Sequence, residues 1–151
     1  MTKLLIGLLF VLVLVAAPAM VQAQNGLIAI SSDGDITHHD GEYDSEDWDE
    51  VTFDIYVSLY DQYPYPVNVY AWIKPTGSTE NYQMWYVTGL EPDGFYSDDA
   101  EVQAGGWFGW VPHSDEGYDY GIKVFRRGFF GQNLELVGED EDTVFHPLIG
   151  H

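Results

Sequence analysis

Residues 51–59 read Val51-Thr52-Phe53-Asp54-Ile55-Tyr56-Val57-Ser58-Leu59, with an aliphatic or aromatic side chain at every odd position. Successive side chains of an extended chain point to opposite faces, so Val51, Phe53, Ile55, Val57 and Leu59 share one face and the even residues share the other. A helix turning every 3.6 residues would scatter the odd set around its axis. The stretch therefore predicts a strand with one greasy face, and with it a fold made of sheets that cover a common interior.

The same rhythm recurs further along the chain. Val67, Val69, Ala71 and Ile73 alternate with Asn68, Tyr70, Trp72 and Lys74, after a turn carrying Asp61, Pro64 and Pro66. The two alternating runs read as a hairpin. Pro75-Thr76-Gly77-Ser78 breaks the chain, and Tyr82 to Thr88 resumes it as a third strand. Gly105, Gly106 and Gly109 interrupt the apolar residues between Ala100 and Val111, which reads as two short strands around a turn. Tyr118, Tyr120, Ile122 and Val124 form another alternating run, and Asn133 to Val137 a last strand before the acidic Glu139 to Asp142. Outside the N-terminus, no apolar stretch has helical spacing. Roughly six to eight short strands with frequent turns describe an all-β, immunoglobulin-like antiparallel β-sandwich.

The N-terminus has a different logic. Lys3, an apolar run from Leu4 to Val15, and Ala16-Ala17-Pro18-Ala19-Met20-Val21-Gln22-Ala23 have the three regions of an export signal cleaved after Ala23. The apolar run is too short to cross a bilayer of roughly 30 Å as a helix, and Pro18 would end it. The expected organisation is a signal peptide over 1–23, an acidic and partly flexible segment over 24–50, and a β-sandwich over 51–151. With no cysteine in the chain, the sandwich must rest on packing alone, which favours a secreted or periplasmic bacterial protein over a eukaryotic secretory route.

The formal net charge is −20, and loss of Lys3 with the signal makes it −21. Such a surface repels nucleic acid and anionic membranes, so the expected partners are a protein or glycan at the cell surface, with no membrane insertion once the signal is removed. The aromatic fraction of 16% excludes a disordered acidic tail.

Three stretches resemble the choice-of-anchor H family of exported bacterial β-sandwich modules. They are Asp40-Gly41-Glu42-Tyr43-Asp44 leading into Val51 to Leu59, Val69-Tyr70-Ala71-Trp72-Ile73, and Glu116-Gly117-Tyr118-Asp119-Tyr120-Gly121-Ile122-Lys123-Val124-Phe125. The resemblance spans Asp40 to Pro147 and implies an accessory or adhesive role without catalytic residues. Members of that family end in an apolar sorting tail followed by basic residues, whereas this sequence ends Pro147-Leu148-Ile149-Gly150-His151.

No nucleophile elbow, zinc-protease helix motif, phosphate loop or dinucleotide fingerprint occurs, and cysteine chemistry is excluded. Twenty-five acids on a small domain will always offer some pair at a glycosidase spacing of about 5 to 9 Å, so a small glycan-active hydrolase stays open as an alternative. His38-His39-Asp40 has metal-ligand chemistry, but neighbours on a strand face opposite ways, and the two histidines read as solvated loop residues. His113 and His146 read as isolated surface or core-edge residues.

Two binding readings remain. Asp33, Asp35, Asp40, Glu42, Asp44, Glu46, Asp47 and Asp49 crowd the approach to the first strand, and hard oxygen ligands at this density suit calcium. Tyr56, Tyr60, Tyr70 and Trp72 fall opposite the aliphatic rows of their strands, and Trp107 and Trp110 sit among three glycines. Exposed rings of this kind stack on sugars. The sequence thus predicts a non-catalytic accessory or adhesion module whose acidic approach is either simply hydrated or calcium-binding, with a carbohydrate-binding protein as the first alternative.

Overall fold

A computed structural model describes residues 26–41 and 46–147; the expected export signal over 1–23, Glu42 and Asp44 lie outside the described residues. Among these residues the chain forms strands β1 (Leu27–His39), β2 (Trp48–Leu59), β3 (Val67–Pro75), β4 (Gln83–Leu90), β5 (Phe95–Gly105), β6 (Gly117–Arg127) and β7 (Asn133–Phe145). They make two antiparallel sheets with orders β1-β2-β5 and β4-β3-β6-β7. The sheets pack as the expected β-sandwich. Compared with a constant-type immunoglobulin arrangement, the fourth strand has left the first sheet and pairs with the third.

The interior is built from the inward rows of both sheets. Val51, Phe53, Ile55, Val57 and Leu59 of β2 face Val67, Val69, Ala71 and Ile73 of β3 and Tyr118, Tyr120, Ile122 and Val124 of β6. All are buried, so the alternation in the sequence is the alternation of the two faces. At about 25 cal/mol per Å² of apolar surface, each such aliphatic side chain contributes roughly 1.5–3 kcal/mol.

Four expectations are corrected. β2 and β3 are not a hairpin; each pairs within its own sheet. Asp61 and Gln62, with φ of 54° and 62°, turn the chain out of the first sheet, and Pro64 and Pro66 have no N–H with which to continue a ladder. Residues 27–39, expected in a flexible segment ahead of the sandwich, form β1, because Leu27, Ala29 and Ile36 are needed to cover the core edge. The last strand runs beyond Val137 through Glu139–Asp142, since pairing with β6 satisfies its backbone and Asp140 accepts the Ser31 N–H at 2.7 Å from β1. Ala100–Val111 is the end of β5 plus a loop that folds back to bridge Ala104 with Val111.

One irregularity decides which residues reach the end of the core. In the β1–β2 ladder Ser31 pairs with Ile55, but Ile36 pairs with Val51, so β1 carries one extra residue between Ser32 and Asp35. Asp33 takes the left-handed φ of 51° there, and the Gly34 N–H donates to the Tyr120 hydroxyl at 3.0 Å. A bulge of one residue exchanges inward and outward positions beyond it. Odd residues face inward before the bulge and even ones after it, so Ile36 and His38 point into the sandwich while Thr37 and His39 point out.

Candidate metal centre

At the end of the sandwich where β1 and β7 finish and β2 and β6 begin, four side chains converge: His38, Asp49, His113 and His146. Each arrives by a different local cause. Asp49 continues the inward row of β2 two positions before Val51, and is fully buried. His38 reaches its cross-strand partner Asp49 because of the bulge. His146 follows Val144 and Phe145 at the end of β7, pinned by its N–H to the Glu116 carbonyl at 3.0 Å. His113 comes from the β5–β6 loop, which can approach because Gly105 has no side chain. A Cβ there would stand 2.7 Å from the His113 Cβ, and its φ of 77° suits glycine.

The imidazoles surround the carboxylate. His38 Nδ1 lies 2.7 Å and His146 Nε2 3.0 Å from Asp49 Oδ1, while His113 Nε2 lies 3.3 Å from Oδ2. Ring centroids are 5.0 to 5.5 Å apart and the planes are inclined by 54° to 76°, so the nitrogens meet without the rings stacking. One donor atom from each of the four residues lies within 4.8 Å of the others. His113 Nε2 is buried and makes no hydrogen bond although it faces Asp49.

The surroundings hold these ligands in place. Tyr118, fully buried, donates its hydroxyl to Asp49 Oδ2 and receives the Ser114 N–H at 3.0 Å. His38 Nε2 contacts Asp40 Oδ1 at 3.1 Å, and His113 Nδ1 lies 3.6 Å from Asp115. Burial pushes the Asp49 carboxyl up, but hydrogen bonds from Tyr118, His38 and His146 outweigh it and hold the group below its ordinary range. The hydrogen bond to Asp49 raises His38 against its own desolvation. Burial, reinforced by Asp49, raises Tyr118 so far that it stays a neutral donor. Carboxylates that orient histidines from behind are the usual support of a metal site.

The residues singled out in the sequence are dispersed. Asp33 and Asp35 are exposed on β1 around the bulge, while Asp40 and Asp47 stand beside His38. Tyr56 lies on the outer face of the first sheet, whereas Tyr70 and Trp72 lie on the outer face of the second, so the expected four-ring strip is split. Trp72 is only 5% exposed, covered by Tyr82 at 5.3 Å. Trp110 packs against Trp85 at 5.0 Å, and Trp107 is 88% exposed. His113 and His146, read as isolated, belong to the centre together with Asp49 and His38. The chain matches no family model and no curated protein.

Proposed function

We propose that this protein is an exported β-sandwich that holds a divalent transition-metal ion, zinc or copper by chemistry, through His38, Asp49, His113 and His146. The observation that carries the reading is His113 Nε2, a buried nitrogen that makes no hydrogen bond and faces a carboxylate already approached by two other imidazoles. Three imidazoles and one carboxylate suit a borderline ion, whereas calcium takes six to eight hard oxygens. Four protein ligands fill a tetrahedral shell and leave no position for substrate, which supports holding the ion over turning over a substrate. With the export segment read from residues 1–23, the favoured role remains that of an accessory module outside the cytoplasm.

Titration of chelator-treated protein with zinc and, separately, calcium tests this. Zinc should bind tightly and raise Tm by mass action, about 2.7 kcal/mol at a hundredfold excess over Kd, while calcium leaves it unmoved. His113→Ala should lose most of the zinc shift. Equal melting in zinc, calcium and chelator would end the proposal.

A further inference from the structure

Both ring nitrogens of His38 face acids. Nδ1 points inward to Asp49, and Nε2 points outward, 3.1 Å from Asp40 Oδ1 and 3.7 Å from Asp47 Oδ2. This nitrogen and the two outer carboxylates form a second group whose donor atoms all lie within 4.8 Å of one another. A single carboxylate is enough to fix the tautomer of a metal-binding histidine. Here two converge on one ring N–H, in a chain whose formal charge is already −20, and their mutual repulsion gains nothing for that task. Asp47 is also held in place, because the Gly41 N–H donates to its Oδ1 at 2.9 Å, leaving Oδ2 for the ring.

We propose that a second divalent transition-metal ion binds His38 Nε2, Asp40 and Asp47, so that the His38 imidazole is shared between a buried ion and an outer one. The inference rests on the first centre and extends it. As the outer ion binds, it replaces the proton on Nε2; that proton passes to solvent, and the ring bridges the two ions as imidazolate, with no change of oxidation state. The outer ligands are accessible, Asp40 at 90% and Asp47 at 53% side-chain exposure, so water completes this shell. The outer ion is therefore the weaker and more readily exchanged of the two.

Copper(II) allows both ions to be read in the intact chain. Equilibrium dialysis should give two equivalents for the wild type and one for Asp40→Asn/Asp47→Asn, which keeps all four inner ligands but, in losing the acids behind His38, weakens the inner affinity about 10- to 100-fold. Electron paramagnetic resonance should show a single-ion spectrum at one equivalent, then a coupled, strongly attenuated one at two. The double variant should keep the single-ion spectrum at any loading. One equivalent in the wild type, or two equivalents with uncoupled spectra, overturns the shared imidazole while leaving the inner centre standing. Absence of any tight copper uptake would instead overturn the inner centre.

Discussion

The hydroxyl of Tyr118, on β6 of the second sheet, donates to the carboxylate of Asp49, on β2 of the first, in the buried end of the sandwich. This contact joins the sheets through a polar pair at the end of two rows that are otherwise aliphatic or aromatic. Without this donor the buried Oδ2 loses its hydrogen bond while His38 and His146 still hold Oδ1, and an unsatisfied buried acceptor costs about 1–3 kcal/mol. Tyr118→Phe should destabilise the metal-free protein by that amount in denaturant titrations. It should also weaken zinc binding about 10- to 100-fold, the usual cost of losing a group that orients a ligand. An unchanged zinc affinity would mean that Asp49 needs no such support.

The glycine that admits His113 makes a second prediction. Gly105→Ala forces a Cβ to 2.8 Å from the Asp47 carbonyl oxygen and 2.7 Å from the His113 Cβ, at a φ of 77°. Strain of this kind costs about 1–3 kcal/mol. Calorimetry should show lowered stability together with weaker zinc binding, because the loop bearing His113 has to retreat. Gly77→Ala, where a Cβ meets nothing within 4 Å and φ is 80°, is the control that strains the backbone but leaves zinc affinity unchanged.

The two prominent alternating runs, 51–59 and 67–73, are strands as their period demands, yet the period does not say which strand lies beside which. Alternation assigns a face, and a hairpin or a crossing between sheets satisfies it equally well. Asp49 was legible: stepping back by two from Val51 places it inward among aliphatic residues. His38 was not, because reading strand parity from either end of β1 fails without knowledge of the bulge at Asp33. His146 emerges only if β7 continues through Glu139–Asp142, against the polar appearance of those residues. His113, in a glycine-interrupted loop, has no periodic signal at all.

Parity itself can be tested. Removing Asp33 deletes the extra residue of β1 and should exchange the inward and outward positions from Asp35 onward. His39 would then take the place opposite Asp49, while Ile36, now 8% exposed, would exchange with Thr37. The deletion should cost roughly 1.5–3 kcal/mol for the lost isoleucine burial. In that background zinc binding should depend on His39 and no longer on His38, as read by alanine substitution of each. Continued dependence on His38 would show that the strand keeps its facing by another route.

Asp54 and Asp99 stand directly opposite each other on β2 and β5. Hydrogen bonding to Asp99, with burial and the nearby Asp33 adding to it, pushes the Asp54 carboxyl up to about 6. The folded state thus binds this proton more tightly than the unfolded state does. The contribution is present below the ordinary 3.8 and is lost as pH rises through about 6. Asp99→Asn should flatten the stability profile over that interval and raise stability at pH 7 by a few tenths to about 1 kcal/mol, the range for cross-strand pairs. Melting at pH 4, 5, 6 and 7 would measure it, and a variant with the wild-type slope would assign the dependence elsewhere.

His38 lies one residue before the end of the first strand of the sandwich and His146 follows the last, with Asp49 and His113 between them in the chain. An ion gripping all four would act as a clasp between the first and last strands, each at the edge of its sheet, of a protein that has no disulfide. Peeling either strand away would then require ligand bonds to break first. Chelation would undo the same closure without any change in redox state, so resistance to pulling or to proteases would rise and fall with the supply of metal.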